Sequence, residues 1–367
     1  MTQENETTAI KLLIVDDDQR IIRNCLDTLE VYQATTKRSI TIESSEKIED
    51  ACNKLDNSYD GAIIDLNFGT ETDGTYIIKQ IRESFFRIPV VILTATSGGY
   101  EIPPKTQIFQ KDEEAVFNKI FDYFWKLHHI GLSRIIGGKG KIEATLNDVF
   151  QNNLLPQLDM WQKYSECPGI KNSAIETALL RYTLQYLLHI LDNESETYLP
   201  AEVLLSPVPE GIIQTGRIFT YSEKNFVVLT PACDLVIRDN GKPKSSDIIL
   251  AEIEPFGSSN NFKNLISNFI QNNSKTKKDS IEKHIRNNNE KYYHFIPKTD
   301  FFEGGFINFR KTTNVLISDI KEKYTDRKIQ ISPFFLKDII NRFSFYYSRQ
   351  GQPDIDTDMY LYTLQQQ

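Results

Sequence analysis

The sequence predicts an N-terminal α/β domain built on a doubly wound parallel sheet, followed by an α+β region. The first part is predicted because four short apolar runs each end in a polar side chain, as buried parallel strands do at the edge of a sheet. The second part is predicted because short β-type runs separated by turn-rich segments begin near Gly211.

The four apolar runs end in residues that parallel strands would bring together. The first run ends in Asp16 and Asp17, and the others end at Asp65, Thr94 and Lys111. The residue after a buried parallel strand lies at the carboxyl edge of the sheet, where open α/β sheets bind ligands. We therefore expect one crevice that holds three carboxylates, a hydroxyl and an ammonium. Crowded carboxylates repel one another unless they are protonated or bridged by a cation, and an all-oxygen cluster beside a phosphoryl group suits Mg²⁺.

Residues 10–129 resemble the response-regulator receiver domain of two-component signalling. The resemblance is carried by five motifs in the expected order, which are Leu13-Ile-Val-Asp-Asp17, Ile63-Ile-Asp-Leu66, Asp73-Gly74, Val91-Ile-Leu-Thr-Ala95 and Phe109-Gln-Lys111. Any one of these motifs alone would be weak, since an apolar strand that ends in Asp is common in α/β proteins. The resemblance implies a receiver domain over residues 1–130, with a five-stranded, flavodoxin-like parallel sheet.

The resemblance also implies a phosphoryl-transfer role for three of the strand-end residues. Asp65 is expected to be the nucleophile that takes a phosphoryl group from a phosphohistidine or a small acyl phosphate and becomes an aspartyl phosphate. Thr94 and Lys111 are expected to hold the remaining phosphoryl oxygens, so that catalysis consists mostly of positioning and charge neutralisation.

A magnesium site is implied by the same resemblance. Asp17, Asp65 and the backbone carbonyl of Asn67 are expected to ligate Mg²⁺ directly, with Asp16 acting through water. Asp18 extends the acidic run, but we favour its role as the N-cap of the following helix over a metal role.

Departures from the usual receiver pattern fall on the face that normally transmits the signal. The connection before Lys111 is several residues short, and Gly98-Gly99 with Pro103-Pro104 predicts that the fourth helix is reduced to a loop or one short turn. Ile108 stands where a Tyr or Phe is usual, although Phe109 could substitute if the strand register slips. Thr96 and Asn67 occupy positions that resemble tuners of the phosphoryl lifetime. These departures put ordinary output in doubt.

Composition indicates an intracellular globular chain with two or more domains, since 40% of the residues are hydrophobic and 25% are charged. The net charge of −8 argues against general nucleic-acid affinity. The four cysteines form no CxxC pair, the start of the chain is polar and acidic, and no apolar run approaches membrane-spanning length. We expect a reduced cytoplasmic protein that has no membrane partner.

Residues 131–200 are predicted to be a helical linker or hairpin that follows a receiver helix over about 112–129. The glycine-rich segment Gly137-Gly-Lys-Gly-Lys141 lacks the spacing and the Ser or Thr of a phosphate-binding loop, which favours a flexible basic linker. Helical periodicity then predicts two helices, at about 143–164 and 172–192, that pair as a hairpin.

Residues 201–367 are predicted to form an α+β domain of unknown function. Short β runs at 216–220, 226–230 and 248–253 predict a small β-barrel or sandwich. The basic segment 257–292 lacks interleaved aromatic residues, which favours a solvated helix over a site for RNA or an acidic partner. A last helix at about 333–348 is apolar enough to be core or a dimer contact.

Cys233, Asp234 and His294 are the candidate reactive residues outside the receiver. They could form a nucleophile with a base or part of a zinc site, for which Cys167 or His189 would have to supply a fourth ligand. Buried structural roles are favoured, because cysteine is commonly buried and a histidine between two aromatic residues is typical of a core.

Two functional classes follow from this reading of the chain. One is a receiver that mainly absorbs phosphoryl groups and is not an enzyme beyond slow autodephosphorylation. The other is a response regulator whose carboxyl-terminal half is an output enzyme or binding effector built around Cys233. The first is favoured, because no recognised DNA-binding, cyclase, phosphodiesterase or nucleosidase signature follows residue 130.

The architecture also resembles the phosphate-buffering regulator of the Detocs anti-phage system, in which a sensor kinase serves both an effector and a phosphate sink. This resemblance implies a histidine kinase as phosphodonor and a separate effector that shares the kinase. The oligomeric state does not follow from the sequence.

Overall fold

The computed structural model shows a chain that divides into two compact units, Met1–Glu194 and Ser195–Gln367. The boundary predicted after residue 130 lies inside the first unit, which groups the helical region with the parallel sheet. The residues that the structure describes are 9–68, 73–95, 100–104, 106–192, 197–238, 241–258, 260–272, 275–349 and 353–366.

The first unit is built on a parallel sheet of five strands in the order β2-β1-β3-β4-β5. This arrangement confirms the predicted doubly wound, flavodoxin-like sheet. The strands are β1 (Ile10–Val15), β2 (Ile40–Ser45), β3 (Gly61–Ile64), β4 (Val90–Thr94) and β5 (Gln107–Gln110).

Helices cover both faces of this sheet, because successive strand residues point to opposite sides. Ile14 of β1 joins one buried cluster and Val15 joins the other. The first cluster packs against α1 (Gln19–Thr36) and α4 (Val116–His129), and the second packs against α2 (Ile48–Lys54) and α3 (Thr75–Glu83). Helix α4 begins four residues later than predicted, because Ala115 before it has a left-handed backbone with φ of 51°.

The connection between β4 and β5 contains no helix among its described residues, which are 95, 100–104 and 106. Thr96 and Gly98-Gly99 lie outside the described residues. Ile108 pairs with Ile92 and packs on the α3 side of the sheet, whereas Phe109 packs on the α1 and α4 side. The alternative in which Phe109 takes the place of Ile108 is therefore wrong, since the register puts the two side chains on opposite faces.

Four further helices follow the sheet within the first unit. They are α5 (Leu132–Ile136), α6 (Lys141–Val149), α7 (Leu158–Glu166) and α8 (Asn172–Asp192). The helix predicted over 143–164 is interrupted by a π-turn at Phe150–Leu154 and a 3₁₀ turn at Leu155–Gln157. Pro156 explains the break, because proline lacks the N–H that an α-helix needs. Helix α8 has the predicted bounds and pairs with α6 and α7 as a hairpin.

The segment 137–141, predicted to be a flexible linker, is instead a compact turn. The Gly137 N–H donates to the Ser133 carbonyl at 2.9 Å, and the Gly140 N–H donates to the Gly137 carbonyl at 2.8 Å. A Cβ added at Gly138 would lie only 2.2 Å from Cβ of Asn57, in the loop before β3. The glycines are therefore needed for close packing rather than for mobility.

An ion pair fixes the same region to the loop before β4. The Arg87 guanidinium contacts the carboxylate of Glu143 on α6 and the backbone carbonyl of Ile136. Both anchored loops precede their strands, so the helical extension is attached at the amino edge of the sheet, opposite the carboxyl edge where Asp65 lies.

Replacing Gly138 by Ala should lower the free energy of unfolding by about 1–3 kcal/mol, because the new methyl group overlaps Asn57. Urea denaturation followed by circular dichroism measures this loss. Gly257→Ala is the matched control, since a Cβ there meets nothing within 4 Å and the backbone is not left-handed. Equal stability of Gly138→Ala and wild type would show that the turn is loosely packed, as the sequence had predicted.

The second unit is built on one curled antiparallel sheet of seven strands in the order β10-β11-β9-β8-β7-β12-β6. The predicted β runs correspond to the three strands β7, β8 and β9. The strands are β6 (Leu204–Leu205), β7 (Arg217–Tyr221), β8 (Lys224–Val228), β9 (Asp247–Glu254), β10 (Tyr293–Ile296), β11 (Gly305–Leu316) and β12 (Thr325–Ile331).

Helices of the second unit include one that fills the main core of the sheet. Its helices are α9 (Ala232–Leu235), α10 (Asn260–Asn272), α11 (Lys275–Ile285), α12 (Ile317–Lys323), α13 (Pro333–Ser348) and α14 (Thr357–Gln365). Ile339 of α13 is fully buried against this core, so the last predicted helix has the predicted bounds and takes the core role, one of the two roles that the sequence left open. None of the helices that the structure describes combines the length and the apolar composition needed to cross a membrane.

Candidate functional site

The strand ends of the parallel sheet converge on one crevice. Backbone hydrogen bonds continue the ladders past the strands: the Asp65 N–H donates to the Val15 carbonyl at 2.9 Å, and the Lys111 N–H donates to the Thr94 carbonyl at 3.1 Å. The open crevice, of about 500 Å³, is lined by Asp17, Asp18, Gln19, Asp65, Asn67, Ala95 and Lys111. The sheet therefore brings the predicted site residues to one edge.

Lys111 bridges two buried carboxylates at the centre of this crevice. Its Nζ lies 2.7 Å from Oδ2 of Asp16 and 2.7 Å from Oδ2 of Asp65, and both carboxylates are almost fully buried. Burial raises the pKa of Asp16, and its bond to Lys111 opposes that rise only in part. Burial alone would lower the pKa of Lys111, but its hydrogen bonds to both carboxylates outweigh burial and raise its pKa.

One oxygen of Asp65 remains available for another partner. Its Oδ1 atom is buried, and no hydrogen-bond donor among the described residues reaches it. A buried oxygen left without a partner costs about 1–3 kcal/mol, which a bound cation would offset. The unpartnered oxygen therefore indicates a cation-binding site at the strand ends.

The donor set fits Mg²⁺. Asp16, Asp17 and Asp65 each offer a carboxylate oxygen, and these atoms lie within 4.8 Å of one another. Within the part of the chain that the structure describes, this is the one such group of histidine, cysteine or acidic residues. Asp16 is already held by Lys111 and by the Asp18 N–H at 2.9 Å, whereas Asp17 is exposed to the crevice. An all-oxygen set of this kind suits a hard divalent cation.

Two residues support the site in ways that the sequence analysis did not predict. Gly74, at the start of α3, lies so close to the nucleophile that an added Cβ would be 1.9 Å from the Asp65 carbonyl oxygen. The side-chain amide of Gln110, oriented with its nitrogen toward β4, donates to the carbonyls of Thr94 at 3.1 Å and Ala95 at 3.2 Å. The Gln110 amide therefore holds the end of β4, which carries the fully buried Thr94. The missing side chain at Gly74 lets the start of α3 lie directly against Asp65. The sequence signal for Gly74 was a glycine directly after an aspartate. Nothing in the sequence marked Gln110.

Comparison with known proteins adds solved structures of similar fold. No protein-family model and no curated protein matches the chain. The N-terminal domain of a response regulator/sensory box/GGDEF three-domain protein from Carboxydothermus hydrogenoformans is 22% identical, with a TM-score of 0.27, and the match covers 33% of this chain and 98% of that one. A response regulator receiver protein from Sinorhizobium medicae is 20% identical over 32% of this chain and 94% of that one, with a TM-score of 0.25.

A CheY-like receiver domain from Methylobacillus flagellatus is 19% identical over 32% of this chain and 99% of that one, with a TM-score of 0.27. Each match covers about a third of this chain, and these likenesses concern the fold alone. The order of the five parallel strands in this chain, β2-β1-β3-β4-β5, is that of a doubly wound, flavodoxin-like sheet. The N-terminal domain has the receiver fold.

Asp18 caps the first helix of the receiver domain, as predicted. Its carboxylate accepts the Arg20 N–H at 2.8 Å and also binds the Arg20 guanidinium. These hydrogen bonds lower the pKa of Asp18 to about 2. Asp18 is therefore a charged cap at the rim of the crevice, held by Arg20.

Outside the receiver domain, the strand register separates Cys233 from His294. His294 on β10 pairs with Ile307, Ile307 pairs with Ile253, and Ile253 pairs with Asn225 at the start of β8. Three strand spacings amount to roughly 14 Å along the sheet, and Cys233 lies beyond the other end of β8. A nucleophile and its base must lie about 2.6–3.2 Å apart, so the candidate pairing of Cys233 with His294, which the sequence did not favour, is wrong.

Each of these residues has a different local environment. His294 is buried against α13 with its Nδ1 3.6 Å from Oδ2 of Asp338, and burial lowers its pKa to about 3. It is therefore a neutral core histidine, the role favoured from the sequence. Asp234 pairs with Lys244 at 2.9 Å, and Cys233 is exposed rather than buried as expected.

The remaining three cysteines, Cys25, Cys52 and Cys167, belong to the first compact unit. Cys167 is exposed and belongs, with His189, to the first compact unit, whereas Cys233 belongs to the second. Cys25 is buried in the receiver core, and burial raises the pKa of its thiol to about 12. The described residues thus hold no zinc-type cluster of cysteine and histidine.

Removing Asp17 should abolish most of the stabilisation that Mg²⁺ gives to the receiver domain. At a free concentration of about 100 times the dissociation constant, a bound ion stabilises the fold by about 2.7 kcal/mol. We expect Asp17→Ala to lose this gain, and to melt at or above the wild-type temperature without Mg²⁺ because one repelling carboxylate is gone. Asp16→Ala should also reduce the stabilisation that Mg²⁺ gives.

Thermal melting with and without Mg²⁺ measures both effects. Asp18→Ser is the matched control, because serine keeps the N-cap and removes a neighbouring carboxylate that we assign no metal role. An unchanged Mg²⁺ response in Asp17→Ala would place the metal elsewhere.

Proposed function

We propose that the protein is a phosphorelay receiver that accepts a phosphoryl group on Asp65 from a histidine kinase and buffers that kinase as a phosphate sink. The observation that supports the acceptor role is the Lys111 bridge between Asp16 and Asp65, which leaves one buried Asp65 oxygen without a partner. This arrangement lies at the carboxyl edge of a receiver-type sheet, where ligands bind in such folds.

The chemistry follows from the arrangement of these groups. A carboxylate oxygen of Asp65 forms a bond to phosphorus while the bond from phosphorus to the donor imidazole nitrogen breaks, which leaves an aspartyl phosphate. The Lys111 ammonium, already 2.7 Å from Asp65, stays beside the new group and neutralises part of its charge. The short side chain of Ala95 in the crevice wall leaves room for the phosphoryl group. A magnesium ion at the aspartates would supply further charge neutralisation when bound.

The sink role is supported by the altered face between β4 and β5. The described residues of that connection form no helix, and Ile108 fills the position of the usual switch aromatic on the α3 side of the sheet. A branched aliphatic side chain has no ring to rotate between an outward and an inward position. A sink needs only to accept and lose a phosphoryl group, so it needs no such switch.

This role implies a pathway with two receivers for one kinase. We propose that a separate effector shares the kinase, as in the Detocs-type anti-phage systems that the architecture resembles, and that the protein works in the cytoplasm without enzymatic output of its own. The rival effector built around Cys233 loses its main argument, since the structure separates that thiol from His294.

Phosphotransfer profiling with a histidine kinase encoded in the same genome tests the proposal. The kinase is labelled from radioactive ATP and mixed with its effector in the presence of increasing amounts of this protein. We expect label to move to this protein and the labelled effector to decrease in proportion. Asp65→Asn added at the same concentrations is the control, and an effector signal that wild type leaves intact would refute the sink.

A further inference from the structure

The two faces of the antiparallel sheet are covered unequally. Along β8, Val227 joins the buried cluster that α13 fills, and Val228 points to the other face and joins a smaller cluster. Two short helices, α9 of 4 residues and α12 of 7 residues, contribute Leu235 and Ile320 to that smaller cluster. Helix α13 has 16 residues, so the second face has the thinner cover.

A cavity of about 570 Å³ lies on this second face. Its apolar walls include Ile213 before β7, Leu235 of α9 and Ile317 of α12. Another wall is a turn whose ends are joined, since the Arg238 N–H donates to the Lys242 carbonyl at 3.1 Å. The volume is within the range of about 300–1,000 Å³ that is typical of small-molecule sites.

The rim of the cavity keeps apolar side chains in contact with solvent. Ile212, Val236 and Ile237 line the cavity and are 50%, 59% and 64% exposed. A ligand with an apolar body would cover these side chains and gain the free energy of burying apolar surface. The walls and the rim therefore fit a molecule that is largely apolar.

Two lysines give the same cavity a positive charge. Lys242 and Lys321 line it, and none of the lining residues that the structure describes is acidic. Lys323 on the same helix pairs with Asp319 at 3.1 Å, whereas Lys321 forms no ion pair with any residue that the structure describes. An ammonium group beside an apolar cavity favours a ligand that carries a negative charge.

Acidic side chains next to the lining residues in the described chain do not cancel this charge. Glu210 pairs with Lys328 at 2.8 Å, and Asp234 pairs with Lys244 at 2.9 Å. Glu322 follows a lining lysine on α12 but lies about 100° further round the helix. The charge that a ligand meets in the cavity is therefore positive.

We propose that this cavity binds a small organic anion with an aliphatic body, of the class of medium-chain carboxylates, and that Lys321 contacts the anionic group. A small molecule fits better than a protein segment, because α9, α12 and two loops bound the cavity on several sides. The site does not involve Asp65, so it stands or falls separately from the phosphorelay function.

Three ten-carbon probes that differ only in their head group test the proposal. Decanoate, decan-1-ol and decylamine are each titrated into the full chain by isothermal titration calorimetry, below the concentrations at which they form micelles. We expect one decanoate per chain, bound roughly 10-fold more tightly than decan-1-ol, because only the carboxylate is attracted to the lysines. Decylamine should bind more weakly than decan-1-ol.

Lys321→Met separates the charge from the shape of the wall. Methionine keeps an unbranched side chain without the ammonium, so this variant should bind decanoate roughly 5-fold more weakly and decan-1-ol as wild type does. Lys323→Met is the matched control, since it removes a lysine of the same helix that does not line the cavity. It should leave the binding of both probes unchanged.

Val236→Glu tests the rim from the opposite direction. A carboxylate at this exposed position should abolish the preference for decanoate and strengthen the binding of decylamine. Ile270→Glu is the control, because Ile270 is 75% exposed on α10 and does not line the cavity. Circular dichroism checks that each variant is folded.

Four results would overturn the proposal. They are the absence of saturable decanoate binding, equal affinity for the three probes, equal weakening by Lys323→Met and Lys321→Met, and a loss of decan-1-ol binding in Lys321→Met as large as its loss of decanoate binding.

Discussion

Asp65→Asn abolishes phosphorylation and leaves the fold intact, if the receiver site works as its geometry indicates. Asparagine has nearly the shape of aspartate but no nucleophilic carboxylate. We expect Lys111 to keep its contact with Asp16, which is 2.7 Å long in the wild type, so that the crevice stays charged. We expect stoichiometric modification of wild type and none of the variant.

The measurement is incubation with Mg²⁺ and acetyl phosphate, followed by intact mass or phosphate-affinity electrophoresis. Beryllofluoride mimics the phosphoryl group. The shift in melting temperature that it causes is a second measure of binding at Asp65. Asp18→Asn is the matched control, because it changes a neighbouring carboxylate and still caps α1. Modification of Asp65→Asn at the wild-type level would show that Asp65 is not the nucleophile.

Loss of the acceptor in cells has the second large expected effect. If the protein is a sink, Asp65→Ala should make the pathway of its kinase several-fold more active, because phosphoryl groups that it would have absorbed reach the effector instead. An output regulator predicts the opposite result, a silent pathway. Pathway activity is compared in cells that carry wild type, Asp65→Ala or no copy of the gene beside the same kinase.

Cys233→Ala is the control that separates the two readings of the carboxyl-terminal half. A sink predicts wild-type signalling in this variant, whereas an effector built around that thiol predicts loss of signalling. Loss of signalling in both Asp65→Ala and Cys233→Ala cells would indicate that the protein is an output regulator.

The receiver sheet and its crevice could be predicted because both depend on local signals. Each apolar run marks a buried strand, and a parallel sheet puts the next residue at one edge, so Asp16, Asp65 and Lys111 were expected to meet. The sequence pattern did not indicate which of these three side chains would contact one another. That one oxygen of Asp65 would be left without a donor depends on side-chain geometry that the sequence does not encode locally.

Errors arose where distant parts of the chain decide the structure. The glycines near Gly138 suggested mobility, but Asn57, 81 residues earlier, leaves no room for a side chain at Gly138. Cys233 and His294 carry the right chemistry for a reactive pair, and only the pairing of β8, β9, β11 and β10 shows that they are apart. Pro156 was a readable signal, since it accounts for the break in the helix that periodicity alone had extended.

The distribution of thiols gives this protein a built-in pair of labelling positions. Cys167 and Cys233 are exposed, one in each compact unit, whereas burial raises the pKa of both Cys25 and Cys52 and slows their reaction. Donor and acceptor fluorophores coupled through maleimide at neutral pH should therefore attach mainly at these two native sites. Energy transfer between the dyes would then report, without an engineered cysteine, whether beryllofluoride at Asp65 shifts one unit against the other.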